Sequence, residues 1–155
     1  MKYSTSTYLK NITKYKLYLY KNNNNVLIIK KVINIAEPFY LIEFGKKIKL
    51  LDNDYYIVEV VPLNSFYICR IFLDNNFNII EEYYTVTKDN QIIDGIPAYN
   101  DLVLSYVKIL DKEKIYHEEV LQNGSNEYLK EAIEKIKKIN FSKNDLIKKI
   151  KKVVK

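Results

Sequence analysis

Three strand-forming segments follow one another in residues 55–87, which read YYIVEVVPLNSFYICRIFLDNNFNIIEEYYTVT. The first, Tyr55 to Val61, is rich in β-branched residues, and a proline closes it. The other two, Tyr67 to Leu73 and Phe77 to Thr87, flank Asp74-Asn75-Asn76, a short polar loop that is typical of a β-hairpin. This stretch therefore predicts a run of antiparallel strands.

The segments on both sides extend the same pattern. Val26 to Ile35, Phe39 to Phe44 and Leu102 to Leu110 are predicted to be further strands. The stretch from Ile92 to Tyr99 contains a glycine and a proline, so we expect a loop or an irregular edge there. Short strands at regular spacing favour a meander or a small barrel over βαβ units.

The periodicity changes after Lys112. One apolar stripe at helical spacing is formed by Leu129, Ala132, Ile133, Ile136 and Ile139. Ser142 and Asp145 resemble a capping box that starts a second helix, whose apolar side carries Leu146, Ile150 and Val153. We therefore predict an α+β fold in a single domain, residues 1–155. It has an antiparallel, barrel-like β-sheet in residues 1–111 and C-terminal amphipathic helices in residues 112–155.

The composition is that of a globular protein, with 155 residues, 18.5 kDa and 48% hydrophobic residues. No apolar run is long enough to span a bilayer, and the N-terminal residues contain no apolar signal region. The single cysteine, Cys69, excludes an intramolecular disulfide, and we interpret it as a small buried hydrophobe. These features predict a cytoplasmic protein without a transmembrane segment and without disulfides.

The net charge of +6 is unevenly distributed along the chain. Residues 142–155 contain six lysines and one aspartate, so they carry +5 of this charge. A lysine-rich tail can contact phosphate groups or an anionic membrane. A charge run is more often the solvated side of a terminal helix, and we interpret it in that way.

Two further patterns have both a functional and a structural interpretation. Residues 15–21 alternate tyrosine, lysine and leucine, which suits stacking on nucleic-acid bases, but we favour a strand with one buried face. His117 is the only histidine, so a Ser-His or Cys-His mechanism would have to use it. No nucleophile motif accompanies it, and we expect a surface histidine on a helix.

Three segments, in this order, resemble the signature of the FomD-like family, also called domain of unknown function 402. They are Tyr83-Tyr84-Thr85-Val86, the stretch Gly95-Ile96-Pro97-Ala98-Tyr99-Asn100-Asp101-Leu102-Val103-Leu104-Ser105, and His117-Glu118-Glu119-Val120-Leu121. The resemblance implies a barrel-like antiparallel sheet with C-terminal helices. It also implies hydrolysis of nucleoside di- and triphosphates with divalent metals, which several converging carboxylates hold against phosphate.

The residues at the family's acidic positions differ here. Thr85 and Ser105 stand where the family has aspartates, and Asn100 replaces the first of two adjacent aspartates. Asp101 matches the second, and Val103 replaces a tyrosine. The last segment aligns in two registers: one places His117 and Val120 on the family's acids, and the other places Glu118 and Glu119 there.

The remaining ligands predict at most a weak site for Mg²⁺ or another divalent cation, formed by Asn100, Asp101, Glu118 and Glu119. Our first hypothesis is a divergent FomD-like domain that binds nucleotide or RNA phosphate with little or no hydrolysis. The residue types suggest phosphate and base contacts at Arg70, Lys88, Tyr67 and Tyr83. The alternatives are a metal-dependent phosphohydrolase and a protein-interaction module that uses the C-terminal helices.

Overall fold

The computed structural model of the protein describes residues 10–122, 126–139 and 143–155. The strands in these ranges are β1 (Ile12–Lys21), β2 (Asn25–Ile35), β3 (Phe39–Glu43), β4 (Lys46–Leu51), β5 (Tyr56–Pro62), β6 (Tyr67–Leu73), β7 (Ile79–Ile93), β8 (Ile96–Ile109) and β9 (Lys112–Tyr116). A 3-10 helix (Glu118–Gln122) and two α-helices, α1 (Glu127–Lys137) and α2 (Lys143–Val153), follow. The α+β prediction is confirmed; the cap predicted at Ser142 lies outside the described residues.

Seven strands form one antiparallel sheet in the order β1-β2-β5-β6-β7-β8-β9. Strands β3 and β4 form a separate two-stranded hairpin between β2 and β5. The order follows the chain except for this insertion, as the meander prediction requires. None of the described helices is long and apolar enough to cross a membrane.

The predicted hairpin between β6 and β7 is present and is held by an aspartate. The carboxylate of Asp74 accepts hydrogen bonds from the backbone N–H groups of Asn76 and Asn78, each at 2.9 Å. An aspartate side chain that bonds nearby backbone groups in this way is a common turn device. It fixes the start of β7 against the end of β6.

The prediction of a loop or irregular edge at 92–99 is wrong. Asp94 and Gly95 have φ values of 52° and 80°, which makes a two-residue turn, and Ile93 pairs with Ile96 across it. Asp-Gly is a favoured hairpin sequence because both central residues of such a turn need positive φ. Strands β7 and β8 therefore continue to this turn.

The strand-rich part also extends beyond residue 111, where we expected the helical part to begin. Leu110 and Asp111 both have positive φ, at 55° and 58°, and they form a tight turn into β9. Strand β9 then pairs with β8, from Lys112 opposite Ile109 to Tyr116 opposite Ser105. His117, expected on a helix surface, follows β9 with φ of 63° and precedes the 3-10 helix.

One face of the large sheet packs against both helices, and we call it the helix-covered face. It contains buried residues of five strands, which are Ile29, Val58, Cys69, Ile71, Tyr84 and Tyr106. The helices contribute Ala132, Ile133, Ile136 and Ile150, each at most 2% exposed. The apolar stripes of the helices are therefore used inside the molecule. Cys69 is fully buried as predicted, and burial raises the pKa of its thiol.

The opposite side of the sheet, which we call the second face, is covered in part by the β3–β4 hairpin. Leu41 and Leu50 of the hairpin join a buried cluster with Phe72. The carboxylate of Glu43 accepts hydrogen bonds from the Tyr116 hydroxyl at 2.8 Å and from Lys114 at 3.1 Å. These contacts attach the hairpin to β9. The part of the second face that the hairpin does not cover carries polar side chains.

Candidate functional site

A row of polar side chains crosses the middle of the second face. The strand register sets Glu59 on β5 opposite Arg70 on β6, and Arg70 opposite Tyr83 on β7. Because directly opposed residues point to the same face, these three side chains are neighbours. Glu59 Oε2 lies 3.4 Å from Arg70 Nη2, and the two side chains are 20% and 19% exposed. Solvent therefore reaches this ion pair.

Lys30 and Tyr99 approach the same ion pair from either side. Burial lowers the pKa of Lys30; the charge of Glu59 opposes this shift, and that of Arg70 adds to it. The Tyr99 hydroxyl donates to Glu59 Oε1 at 3.4 Å, and burial, followed by the Glu59 charge, raises its pKa. Glu59 is thus the partner of Arg70 and of the Tyr99 hydroxyl, and Lys30 lies diagonal to it on the same face.

Two hydroxyl side chains lie at the positions where the resemblance has aspartates. Thr85 Oγ1 and Ser105 Oγ are 3.2 Å apart, on opposed residues of β7 and β8 that are almost completely buried. Burial raises the pKa of the neighbouring Tyr83, and the Ser105 hydroxyl opposes that shift. These side chains contribute hydrogen-bonding groups without charge.

Asp101 reaches this region through an irregularity in β8. Thr85 pairs with Ser105 but Thr87 pairs with Asp101, so three residues of β8 face one residue of β7. Within this bulge Val103 has φ of 74°, and its N–H donates to Asp101 Oδ1 at 2.7 Å. Bulges of this kind often re-aim side chains beside binding sites.

The register sets Asp101 opposite Thr87, on the same face as Tyr83 and Thr85, and its charge adds to the raised pKa values of Tyr83 and Tyr99. We call the whole group the polar cluster: Lys30, Glu59, Arg70, Tyr83, Thr85, Tyr99, Asp101 and Ser105. It combines two cations, two carboxylates and four hydroxyls. Its guanidinium and ammonium groups are suited to binding phosphate oxygens, whereas the hydroxyls of Tyr83, Thr85 and Ser105 are buried beside them.

Of the four predicted phosphate and base contacts, Arg70 and Tyr83 belong to the polar cluster. Tyr67 does not, because successive residues of a strand point to opposite faces. It lies on the helix-covered side, with its ring 6.1 Å from that of Tyr84. Lys88 is exposed, and its ammonium lies 4.8 Å from the ring centroid of Tyr128.

Tyr83 also differs from its expected role. Its ring is 4% exposed and stacks on that of Tyr116 at 5.9 Å. A base has no access to this ring, and the Tyr83 hydroxyl is buried as well.

The four predicted metal ligands do not form one group. Asn100 is exposed and donates to Asp89 at 3.0 Å, while Glu118 and Glu119 are exposed on the 3-10 helix. His117 Nδ1 lies 3.3 Å from Glu119 Oε1. Within the described ranges no set of three or more His, Cys, Asp or Glu side chains is placed to hold a metal ion. The described residues therefore do not show the converging carboxylates that the resemblance implies.

Sequence reasoning missed Lys30, Glu59 and Tyr99. The first two carried a usable signal, because a charged residue inside an apolar strand is rarely buried without a partner. Glu59 is the only charged residue of β5. Tyr99 gave no such signal among fifteen tyrosines, and only the Asp94–Gly95 turn brings it back over the sheet.

The strand predicted at residues 15–21 is present in β1, but its inner face is only partly buried, at Tyr18 and Tyr20. It is an edge strand, and none of its residues is fully buried. On the second face Tyr15 and Leu17 are 50% and 57% exposed. The ammonium of Lys30 lies 4.5 Å from the Tyr15 ring centroid. An exposed aromatic ring therefore adjoins the polar cluster.

No protein-family model matches this chain, and no curated protein matches it at a significant level.

Proposed function

We propose that this domain binds nucleotide phosphates at the polar cluster, with little or no hydrolysis. The observation that carries the proposal is the Arg70–Glu59 ion pair on a part of the second face that solvent reaches, with Lys30 diagonal to Glu59 in the strand register. Two cations held beside one carboxylate are pre-positioned, which reduces the entropy lost when they bind a ligand.

Arg70 is the main phosphate contact in this proposal. Its planar guanidinium has five N–H donors in a fixed fork geometry that matches phosphate oxygens. Lys30 supplies a second positive charge whose desolvation already lowers its pKa. A phosphate anion near Lys30 would favour the charged form and offset part of that cost.

The base has a contact surface on β1. The Tyr15 ring is half exposed beside Lys30, and Leu17 lies two residues further along the same face. Stacking of a base on an aromatic ring tolerates all base types because every base has a π-face. We therefore expect weak discrimination between bases.

Slow or absent hydrolysis follows from the residues at the family's acidic positions. The hydroxyls of Thr85 and Ser105 hydrogen-bond to each other and carry no charge to attract a cation. A weak Mg²⁺ site and the metal-dependent phosphohydrolase stay alternatives that a turnover assay decides. The interaction-module alternative is less favoured, because the apolar stripes of both helices pack on the sheet.

We also propose that the large sheet curls toward the barrel-like form expected from the sequence. Val32 of β2 and Tyr116 of β9 belong to strands near opposite edges of the sheet, yet both join one buried cluster with Leu50 of the β3–β4 hairpin. Such curling gives the second face a concave shape around the polar cluster.

The test is titration of a panel of nucleoside di- and triphosphates, by calorimetry, with Mg²⁺ and with a chelator. We expect binding in both conditions and Arg70→Gln to weaken it about 10- to 100-fold, because a charge-assisted hydrogen bond contributes about 1.5–3 kcal/mol. Lys88→Gln is the matched control: it removes the same charge at a predicted contact outside the cluster, and affinity should stay unchanged.

Phosphate release is measured in the same samples with magnesium, manganese and cobalt. Robust metal-dependent turnover that Asp101→Ala abolishes would establish the phosphohydrolase instead. Equal weakening by Arg70→Gln and Lys88→Gln, or no binding by the native protein, would refute the polar cluster as the site.

A further inference from the structure

A second cationic site lies on the other side of the molecule. A cavity of about 360 Å³ is lined by Tyr20 of β1 and by Lys148, Lys149, Lys152 and Val153 of α2. These five described residues include three lysines and no carboxylate. We propose that this site, the lysine pocket, binds single-stranded nucleic acid, with phosphates on the lysines and a base on Tyr20.

The lysines are fixed relative to the sheet because α2 is attached at two points. Ile150 is fully buried in the core beneath the helices. At the start of the helix, Lys143 Nζ lies 2.9 Å from Oε2 of the buried Glu82. The opposite side of α2 therefore holds its lysines over β1 as a rigid unit.

Charge complementarity points to a polyanion. Residues 143–155 contain six lysines and one aspartate, which is nearly all of the net charge of +6. Lys143 is paired with Glu82, but the three pocket lysines have no carboxylate among the residues that line the cavity. Like charges held together in this way repel each other, and a bound polyanion relieves that repulsion.

The packing of α2 argues against a membrane as the anionic partner. A helix that binds a bilayer surface inserts its apolar side between the lipids. Here most of that side is already used, since Leu146 and Ile150 pack with the core, and Val153 is partly buried between the core and the cavity. No apolar stripe of α2 remains to enter lipid, so the expected ligand is hydrophilic.

Aromatic rings beside the lysines favour a nucleic acid over other polyanions. Lys149 Nζ lies 5.2 Å from the ring centroid of Tyr20, and Lys16 Nζ lies 5.2 Å from that of Tyr18. Tyr18 and Tyr20 point to the same side of β1 because they are two residues apart. Alternating cations and rings are typical of proteins that bind single strands, whose bases are unpaired and free to stack.

The lysine pocket is independent of the polar cluster. Tyr20 and α2 lie on the helix-covered side, whereas Arg70 and Lys30 lie on the second face. Mononucleotide binding at the cluster and oligonucleotide binding at the lysine pocket can therefore fail separately. The Arg70→Gln variant, which impairs only the cluster, distinguishes the two.

The test uses the full chain and fluorescence anisotropy of labelled oligouridylate and oligothymidylate over a series of salt concentrations. The triple variant K148Q/K149Q/K152Q should bind more weakly, and the slope of log K against log salt should fall by about 2, since each phosphate contact on a single strand contributes about 0.7. The matched control K46Q/K47Q/K112Q removes the same charge from exposed positions on β4 and β9 and should leave the slope almost unchanged.

The aromatic contact has its own matched pair. Tyr20→Leu should weaken binding about tenfold. Tyr40→Leu should have no effect, although Lys47 Nζ also lies near the ring of Tyr40, 4.4 Å from its centroid. Arg70→Gln should bind both oligonucleotides like the native protein.

Three results would overturn the proposal. Equal effects of the two triple variants would show that only net charge matters. An unchanged affinity in Tyr20→Leu would show a base-independent anion site. Binding to vesicles of phosphatidylserine and phosphatidylcholine that depends on the pocket lysines, without binding to either oligonucleotide, would assign the site to a membrane.

Discussion

The two faces of strand β6 differ although the same seven residues form both. On the helix-covered face Cys69 and Ile71 are completely buried beneath α1 and α2. On the second face Phe72 is equally buried, but Arg70, two residues away, is reached by solvent and faces Glu59. The two faces differ because two helices pack on one of them, whereas a short hairpin packs on only part of the other.

This comparison explains where binding chemistry can reside in such a sheet. A charged side chain beneath the helices loses its hydration and needs a partner in place, as the buried Glu82 has in Lys143. At the margin of the hairpin, charges keep some contact with water and stabilise each other across strands. The polar cluster therefore occupies the part of the second face that the β3–β4 hairpin does not cover.

The largest expected effect tests whether side chains buried under the β3–β4 hairpin stabilise the fold as much as those buried under the helices. Phe72→Ala removes a buried ring beneath the β3–β4 side and should lower the free energy of unfolding by about 3–5 kcal/mol. Ile71→Ala, beneath the helices, should cost about 2–5 kcal/mol. Urea unfolding followed by circular dichroism measures both.

Leu17→Ala serves as the control for these two variants. Leu17 is 57% exposed on the edge strand, so its replacement should change the free energy of unfolding by less than about 0.5 kcal/mol. If Phe72→Ala behaved like Leu17→Ala, the hairpin would not form part of the cooperative core, and the two faces would differ more than we infer.

The second prediction compares buried tyrosines on the two faces through their titration. Burial raises the pKa of Tyr84 on the helix-covered face and of Tyr116 on the second face. Above pH 10, a tyrosine releases its proton in the unfolded chain but keeps it in the folded one. Their contribution to stability is therefore present below pH 10 and is lost as pH rises, by about 1.4 kcal/mol per pH unit for each group.

Tyr84→Phe and Tyr116→Phe should each flatten this alkaline loss by about that amount. The measurement is the slope of unfolding free energy against pH above 10, which separates titration from the pH-independent loss of the hydroxyl's hydrogen bond. If Tyr84→Phe or Tyr116→Phe had the same slope as the native protein, the hydroxyl of that tyrosine would ionise in the folded protein.

The strands and helices were largely predictable because their hydrophobic periodicity is local. Where prediction failed, a turn decided the structure: Asp94-Gly95 and Leu110-Asp111 adopt positive φ and extend the sheet through regions assigned to a loop and to the helical part. Asp-Gly is a recognisable turn sequence, whereas Leu-Asp is not. The second turn was therefore beyond sequence reasoning.

The candidate site was predictable only in part, because residue type does not fix the face of a strand on which a side chain lies. Tyr67 and Arg70 are three residues apart and so point to opposite faces. Lys30 and Glu59 come from strands separated by the β3–β4 insertion, and only the register of β2 with β5 brings them near each other. Pairing over that distance is a property of the folded sheet.

The smallest predicted effect concerns the bulge that presents Asp101 to the polar cluster. Val103 has φ of 74°, which is unfavourable for a β-branched residue, and its side chain is 42% exposed. Val103→Gly should therefore raise the free energy of unfolding by about 1 kcal/mol, since glycine adopts this conformation without strain and little buried surface is lost. The backbone N–H that donates to Asp101 is kept.

Val107→Gly is the control, at a buried position four residues further along β8. It should lower the free energy of unfolding by about 2 kcal/mol or more. Chemical denaturation of both variants is the measurement, and a stability loss in Val103→Gly would show that the bulge is held by the valine side chain and not by the aspartate.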